Sequence, residues 1–295
     1  MLHLFHSFIV DDSKSTARLE YGGIALFIVL SLHIAACVAT RNGRATRVFD
    51  AAAGASVALA CLITLLLRGL YFPRQVISTV LMMAWGARLS VFLWRRVPPS
   101  EATRAERAPV LTRVAWATAC ALPCVVCNTQ QRHIYRSTLV ELTSLCAATA
   151  ALFIEHAADS QKAAWFLKHS ERPGKSDMEP PVCADGLWAY SRHPNLFSEL
   201  MFHWSIFCIV HPVESWFIIF CPLYITLCIL ILPGGVATQE MSRNKKYALY
   251  PSYQRYKNAT PPLFPAPGLY SFLGSVAPTA RRVLCCNPPL YDELF

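Results

Sequence analysis

Residues 185–199 read DGLWAYSRHPNLFSE and lead into an apolar stretch over 201–213. Fifteen positions hold Asp185, Arg192, His193, Asn195 and Glu199 at the mouth of a hydrocarbon-compatible helix. Ionisable side chains at or inside a membrane segment are costly and mark functional sites by default. Pro194 suits the first helical turn, where its missing N–H leaves no bond unmade. A helix N-terminus at that point favours anions. The fold therefore reads as all-α and membrane-embedded, with polar chemistry at one helix mouth.

Composition agrees. Hydrophobic residues make up 54% of the 295 positions and charged residues 15%, with a mean hydropathy of +0.35. A soluble domain carries about 25% charge. Apolar runs near 22–40, 51–67, 75–94, 114–130, 137–157, 196–213 and 216–235 predict about seven transmembrane helices. Several fall short of the ~20 residues that a span needs, so their ends must reach into interfacial residues. Tyr71, Trp94, Tyr135, Trp188 and Trp216 lie near those ends, as aromatic belts do.

The formal net charge of +9 follows the connections between runs, which excludes a nucleic-acid interface as its explanation. Arg41, Arg44 and Arg47 share one connection, and Arg95, Arg96, Arg104 and Arg107 another. Lys162, Lys168, Arg172 and Lys175 share a third, and the C-terminal region adds seven more, from Arg243 to Arg282. The alternate connections are poorer in basic residues. The positive-inside rule then places the 158–194 loop and the C-terminus in the cytosol, and seven spans place the N-terminus opposite. Segment 1–21 does not read as a signal peptide: its apolar run contains His3 and His6, lacks a basic start, and meets Asp11-Asp12.

Most of the twelve cysteines sit in apolar runs and act as small hydrophobes. Cys120, Cys124 and Cys127 have a spacing used by metal clusters, but thiolates are disfavoured in hydrocarbon. No metal site is expected.

The chain reads as one membrane domain over 22–267, an N-terminal segment over 1–21 and a flexible tail over 268–295. Segment 161–185 is expected to be a loop, with Pro173-Gly174 as a turn signal. Pro233-Gly234-Gly235 should break the seventh span, and 240–256 should form an amphipathic interfacial helix. Pro288–Tyr291 and Cys285-Cys286 are a short proline motif and a possible acyl acceptor pair in the tail.

Several side chains have the right chemistry for a site. Tyr190 can donate a proton, Arg192 can pair with a phosphate, and the Asn195 amide both donates and accepts. Glu199 lies one turn beyond Asn195 and needs a partner if buried. Glu155 and Asp159, four apart, share one face of a helix end. Arg88 falls near the middle of the third span, where it either snorkels to an interface or anchors a ligand anion or an acid such as Glu141 or Glu155.

The pattern G-L-W-x-Y-S-R-H-P-N-x-F-x-E over Gly186–Glu199 resembles the C-terminal domain of steroid 5α-reductase-like membrane proteins. Three further blocks run in matching order: Trp85 and Arg88 before a basic pair; Glu155, Asp159, Gln161 and Phe166; and Glu240, Lys246-Tyr247, Tyr250, Tyr253 and Phe264. The resemblance spans about 75–265. It implies an integral-membrane reductase of a carbon–carbon double bond in a sterol-like or other lipid substrate, with NADPH as cofactor. Asp159, Arg172, Lys175, Arg192, Asn195 and Glu199 would then hold the dinucleotide, Tyr190 and His193 would be the candidate proton donors, and Arg88 and Glu155 would anchor substrate. The endoplasmic reticulum is the membrane implied. Two features depart from the steroid enzymes: span two has no acid, and span three has no tyrosine. The signature is also shared by isoprenylcysteine-type carboxyl methyltransferases, which use S-adenosylmethionine, so that activity stays open, as does a non-catalytic protein on the same fold.

Overall fold

The structure is a computed structural model and describes residues 12–40, 46–95, 110–130, 139–170, 182–211, 216–232 and 234–277. These form ten α-helices and no β-strand: α1 (Asp12–Thr40), α2 (Thr46–Arg68), α3 (Pro73–Arg95), α4 (Val110–Asn128), α5 (Leu139–Ser170), α6 (Pro194–Val210), α7 (Phe220–Leu230), α8 (Val236–Tyr247), α9 (Pro251–Ala259) and α10 (Pro267–Val276). Short 3₁₀ turns cover Gly186–Ala189 and Trp216–Ile219. Helices α1–α5 are long and apolar enough to cross a bilayer, and the chain is an integral membrane protein. The sixth and seventh expected spans are helical but shorter, with 17 residues in α6 and 11 in α7.

The chain divides into two compact units. The first takes its described residues from 1–101, 109–148 and 203–225. Within it α2 packs against α1, α3 and α4. Gly54 and Gly86 set the α2–α3 distance, because a Cβ on either would overlap the other's carbonyl oxygen. Ser90 Oγ bridges the same interface, 2.9 Å from the Ala51 carbonyl and 2.8 Å from that of Gly86. At the far end of α4 the last carbonyls have no intrahelical partner, and Gln75 of α3 caps them. Its Nε2 donates to Cys127 O at 3.1 Å and lies 3.3 Å from Asn128 O and Gln130 O. Asn128 Nδ2 donates in turn to Cys61 O and Thr64 Oγ1 of α2, at 3.1 and 3.2 Å. Trp85 is fully buried, with its ring 4.7 Å edge-on from His203 and 5.7 Å from Trp116. Glu141 forms an ion pair with Arg74.

The second unit takes its described residues from 149–202 and 226–277. Three expectations change here. Helix α5 continues to Ser170, so the expected loop over 161–185 begins as helix. Ala163 to Lys168 contains no helix breaker, and the first one, Pro173, comes later. The expected helix over 240–256 is two helices, α8 and α9. Pro251 biases the preceding residue away from helical geometry, and Tyr250 is extended at φ −86°, ψ 117°. The expected loose tail from Gly268 begins with α10, which has proline at its start and apolar residues at helical spacing. The break after α7 is as expected, with Gly234 at φ +94°.

The glycine contact gives a direct test. In an open helix Gly→Ala is favourable by about 1 kcal/mol. At Gly54 the added methyl meets backbone and Ser90, and overpacking of this kind costs roughly 1–3 kcal/mol. Gly54→Ala is expected to lower the thermal midpoint in detergent, whereas Gly22→Ala, which has open space around it, is expected to leave it unchanged or higher.

Candidate functional site

The signature segment is pinned on both sides before α6 begins. Gly186 has φ +60°, the left-handed region, and a Cβ there would lie 2.7 Å from the Gln161 side chain. Gln161 Oε1 accepts the Leu187 N–H at 3.0 Å. Trp188 Nε1 donates to Ala158 O at 3.0 Å, and Trp188 O accepts the Tyr256 hydroxyl at 2.7 Å. These bonds join α5, the turn and α9. Arg192 N–H donates to Pro261 O at 2.9 Å, and Ser191 Oγ donates to Leu263 O at 2.7 Å while accepting the His193 N–H at 3.2 Å. Residues 191 and 192 are thus held against 261–263 by the Arg192 backbone N–H and the Ser191 hydroxyl.

That clamp presents two buried side chains to one carboxylate. Arg192, His193 and Glu240 are all fully buried. Arg192 Nη1 lies 2.7 Å from Glu240 Oε2, and His193 Nε2 lies 2.8 Å from Glu240 Oε1. Arg243, one turn along α8, lies 3.6 Å from the same carboxylate and donates from Nη1 to Arg192 O at 3.2 Å. Arg243 also stands 6.0 Å above the Trp188 ring, with Lys162 at 4.9 Å, within cation–π range.

Protonation follows from this packing. Burial disfavours the His193 imidazolium and Arg243 opposes it, which together push its pKa down to about 3 against the pull of Glu240. The ring is neutral, so its one proton belongs on Nε2, facing the carboxylate, and Nδ1 is an acceptor. Burial works against the Glu240 carboxylate, but Arg192, His193 and Arg243 outweigh it and hold the group well below the usual carboxylate range. Burial raises the Tyr256 phenol and the Cys183 thiol.

The cluster is incompletely satisfied. Beyond the Glu240 ion pair at Nη1, Arg192 Nε and Nη2 are buried without an acceptor among the described residues. His193 Nδ1 and Asn195 Oδ1, in the first turn of α6, are also buried and unbonded. Buried polar groups are normally paired. Unused donors on a permanent cation, with a second cation alongside, suit a phosphate or carboxylate ligand.

The sequence candidates fall into three groups. Arg192 and His193 meet in one cluster, and Asn195 follows them on α6. Asp159 and Glu155 are buried on α5, the helix whose Ala158 and Gln161 hold the turn, and Glu199 is half-buried on α6. Tyr190 is 57% exposed, and only its backbone N–H, donated to Leu187 O, has a described bond. Arg88 is half-buried on α3, in the first unit. Arg172 and Lys175 lie outside the described residues. Glu240 and Arg243 are members that the sequence reading did not place in the site. The available signal was a lone acid on α8, whose other charges are Arg243, Lys245 and Lys246.

Two outcomes are expected. Glu240→Ala strands the buried Arg192 and should cost about 3–5 kcal/mol in unfolding, whereas Arg192→Met with Glu240→Leu should recover most of it. Unfolding in detergent checks both. His193 is neutral when folded and titrates near 6.5 when unfolded. The unfolded chain therefore gains protons between about pH 6.5 and 3, and stability falls with acid in that window. His193→Gln should flatten the pH dependence of the thermal midpoint between pH 7 and 5.

Residues 36–107 and 110–260 match a protein family described as a protein of unknown function (DUF1295). The match takes in α3, the signature, the Arg192–Glu240–His193 cluster and α9. Comparison with curated proteins and with solved structures gives no match. With well over half of its length matched, the chain belongs to the DUF1295 family.

Proposed function

We propose that this protein is an NADPH-dependent, integral-membrane reductase of a carbon–carbon double bond in a sterol-like or other lipid substrate. The observation that carries the reading is Arg192, fully buried, with Nη1 paired to Glu240, Nε and Nη2 lacking an acceptor among the described residues, and Arg243 at its back. Such a guanidinium suits a phosphate group of a dinucleotide. Asn195 Oδ1, in the first turn of α6 and without a donor among the described residues, suits the amide N–H of a nicotinamide. The resemblance of Gly186–Glu199 to the steroid 5α-reductase-like signature supports the same assignment.

NADPH, when bound, supplies the hydride. The chain supplies the rest. Arg192 and Arg243 neutralise phosphate charge. Asn195, with Glu199 one turn on, orients the amide; Asp159 on α5 and the cations Arg172 and Lys175 complete the binding group. Reduction of a conjugated alkene needs an acid for the developing enolate. Tyr190 and His193 fill that role differently: the neutral His193 holds its proton against Glu240, whereas Tyr190 has its hydroxyl uncommitted. Arg88 and Glu155 serve the substrate end. With α6 and α7 counted as shortened spans, seven helices cross the membrane and the C-terminus is cytosolic, on the side where the cofactor is found. The endoplasmic reticulum is the membrane proposed.

Thermal stabilisation separates the activities. NADPH at 100-fold its dissociation constant should stabilise the native state by ~2.7 kcal/mol, with S-adenosylmethionine inert. The reverse result assigns a methyltransferase, and two inert ligands a non-catalytic role. Arg192→Lys tests the site itself. Lysine keeps Glu240 paired, so folding should survive, but it lacks the planar fork that meets phosphate oxygens. Loss of a bond to a charged group costs ~1.5–3 kcal/mol, and NADPH affinity should fall roughly tenfold to a hundredfold. Unchanged titrations in Arg192→Lys and Asn195→Ala would place the cofactor elsewhere.

A further inference from the structure

Helix α10 (Pro267–Val276) is the one helix among α8, α9 and α10 that carries no charged residue. At about 100° per residue, its side chains divide into three arcs. Tyr270 is 1% exposed and roots the helix in the second unit. Leu269, Phe272 and Val276 fall within about 60° of one another and are 52%, 60% and 66% exposed. Ser271 and Ser275 lie within about 40° of each other on a third arc, between Tyr270 and Phe272, also exposed, and Ser275 Oγ already donates to Phe272 O at 2.8 Å.

We infer that α10 is an interfacial helix, lying along the membrane surface with Leu269, Phe272 and Val276 in the lipid. The neighbouring helices show how this unit treats water: α8 and α9 present Lys245, Lys246 and Arg255 outward, while α10 presents an uncharged apolar stripe. A large apolar stripe on a soluble surface marks an interaction site. In a chain whose α1–α5 are long and apolar enough to span a bilayer, the apolar phase at hand is the bilayer. A helix with one apolar arc and one polar arc sits with the former ~5–10 Å deep at the headgroup boundary. Helix α10 begins after the family match ends at residue 260, so this surface does not depend on the catalytic reading.

The test uses the full-length protein in phosphatidylcholine–phosphatidylserine proteoliposomes. A spin label is attached through an encoded azide residue at 269, 271, 272, 275 or 276, one at a time, with the native cysteines kept. The expected result is a helical pattern: collision with oxygen exceeds collision with a water-soluble nickel chelate at 269, 272 and 276, and the ratio inverts at 271 and 275. Equal access to the nickel chelate at all five positions would overturn the inference. So would dipolar coupling between labels on two copies at 272 together with exclusion of both quenchers there, which would assign the face to a second copy. Thermal midpoints near that of the unlabelled protein certify that each labelled variant is folded.

Discussion

The second unit depends on a single carboxylate. Glu240 is buried between Arg192 and His193, and neither partner has an alternative anion among the described contacts. Removing one member of such a group exposes the desolvation cost of the others. The clamp explains how the chain can hold three ionisable groups there. Neutral hydrogen bonds from Ser191 and Arg192 to 261–263, and from the Trp188 turn to α5 and α9, fix the segment independently of its charges. The charges are placed by a scaffold already held together by neutral bonds.

This arrangement sets the chemistry available. A guanidinium fully matched to carboxylates has nothing left for a ligand. Arg192 is matched at one edge only, and Arg243 beside it prevents Glu240 from cancelling the local positive charge. The neutral His193 adds an acceptor rather than a third cation. Low local dielectric strengthens every remaining interaction, and Trp188, buried beneath Lys162 and Arg243, keeps water from one flank. An anionic ligand would meet donors that need no reorganisation.

Much of this was legible in the sequence. Each apolar run fell on a helix, five of them long and apolar enough to cross a bilayer, and the two that came out short lie next to Pro212 and Pro233-Gly234 in the sequence. Arg192 and His193 stood out because charge at the mouth of an apolar helix needs a reason. Glu240 did not, because its pairing with Arg192 spans 48 positions and nothing local distinguishes a buried acid from a solvated one on a basic helix. Tyr190 shows the converse. It sits two residues from Arg192, yet the turn over Gly186–Ala189 sends the two side chains to different surroundings, one 57% exposed and one fully buried. Proximity along an irregular segment does not fix a side chain's direction. Helix boundaries failed where the decisive residue was small in effect, as with Pro251, or distant, as with Pro173.

The two units hold buried polarity differently. In the first unit a network of amides and hydroxyls, Gln75, Asn128, Thr64 and Thr79, links α2, α3 and α4 near the last turn of α4. Neutral hydrogen bonds satisfy backbone carbonyls at helix ends, which hydrocarbon cannot hydrate, at no Born cost. In the second unit the buried groups include ions: Arg192 and His193 just before α6, Glu240 on α8, and Glu155 and Asp159 within α5. The neutral network holds the spans in register, and the charged one is free to serve recognition.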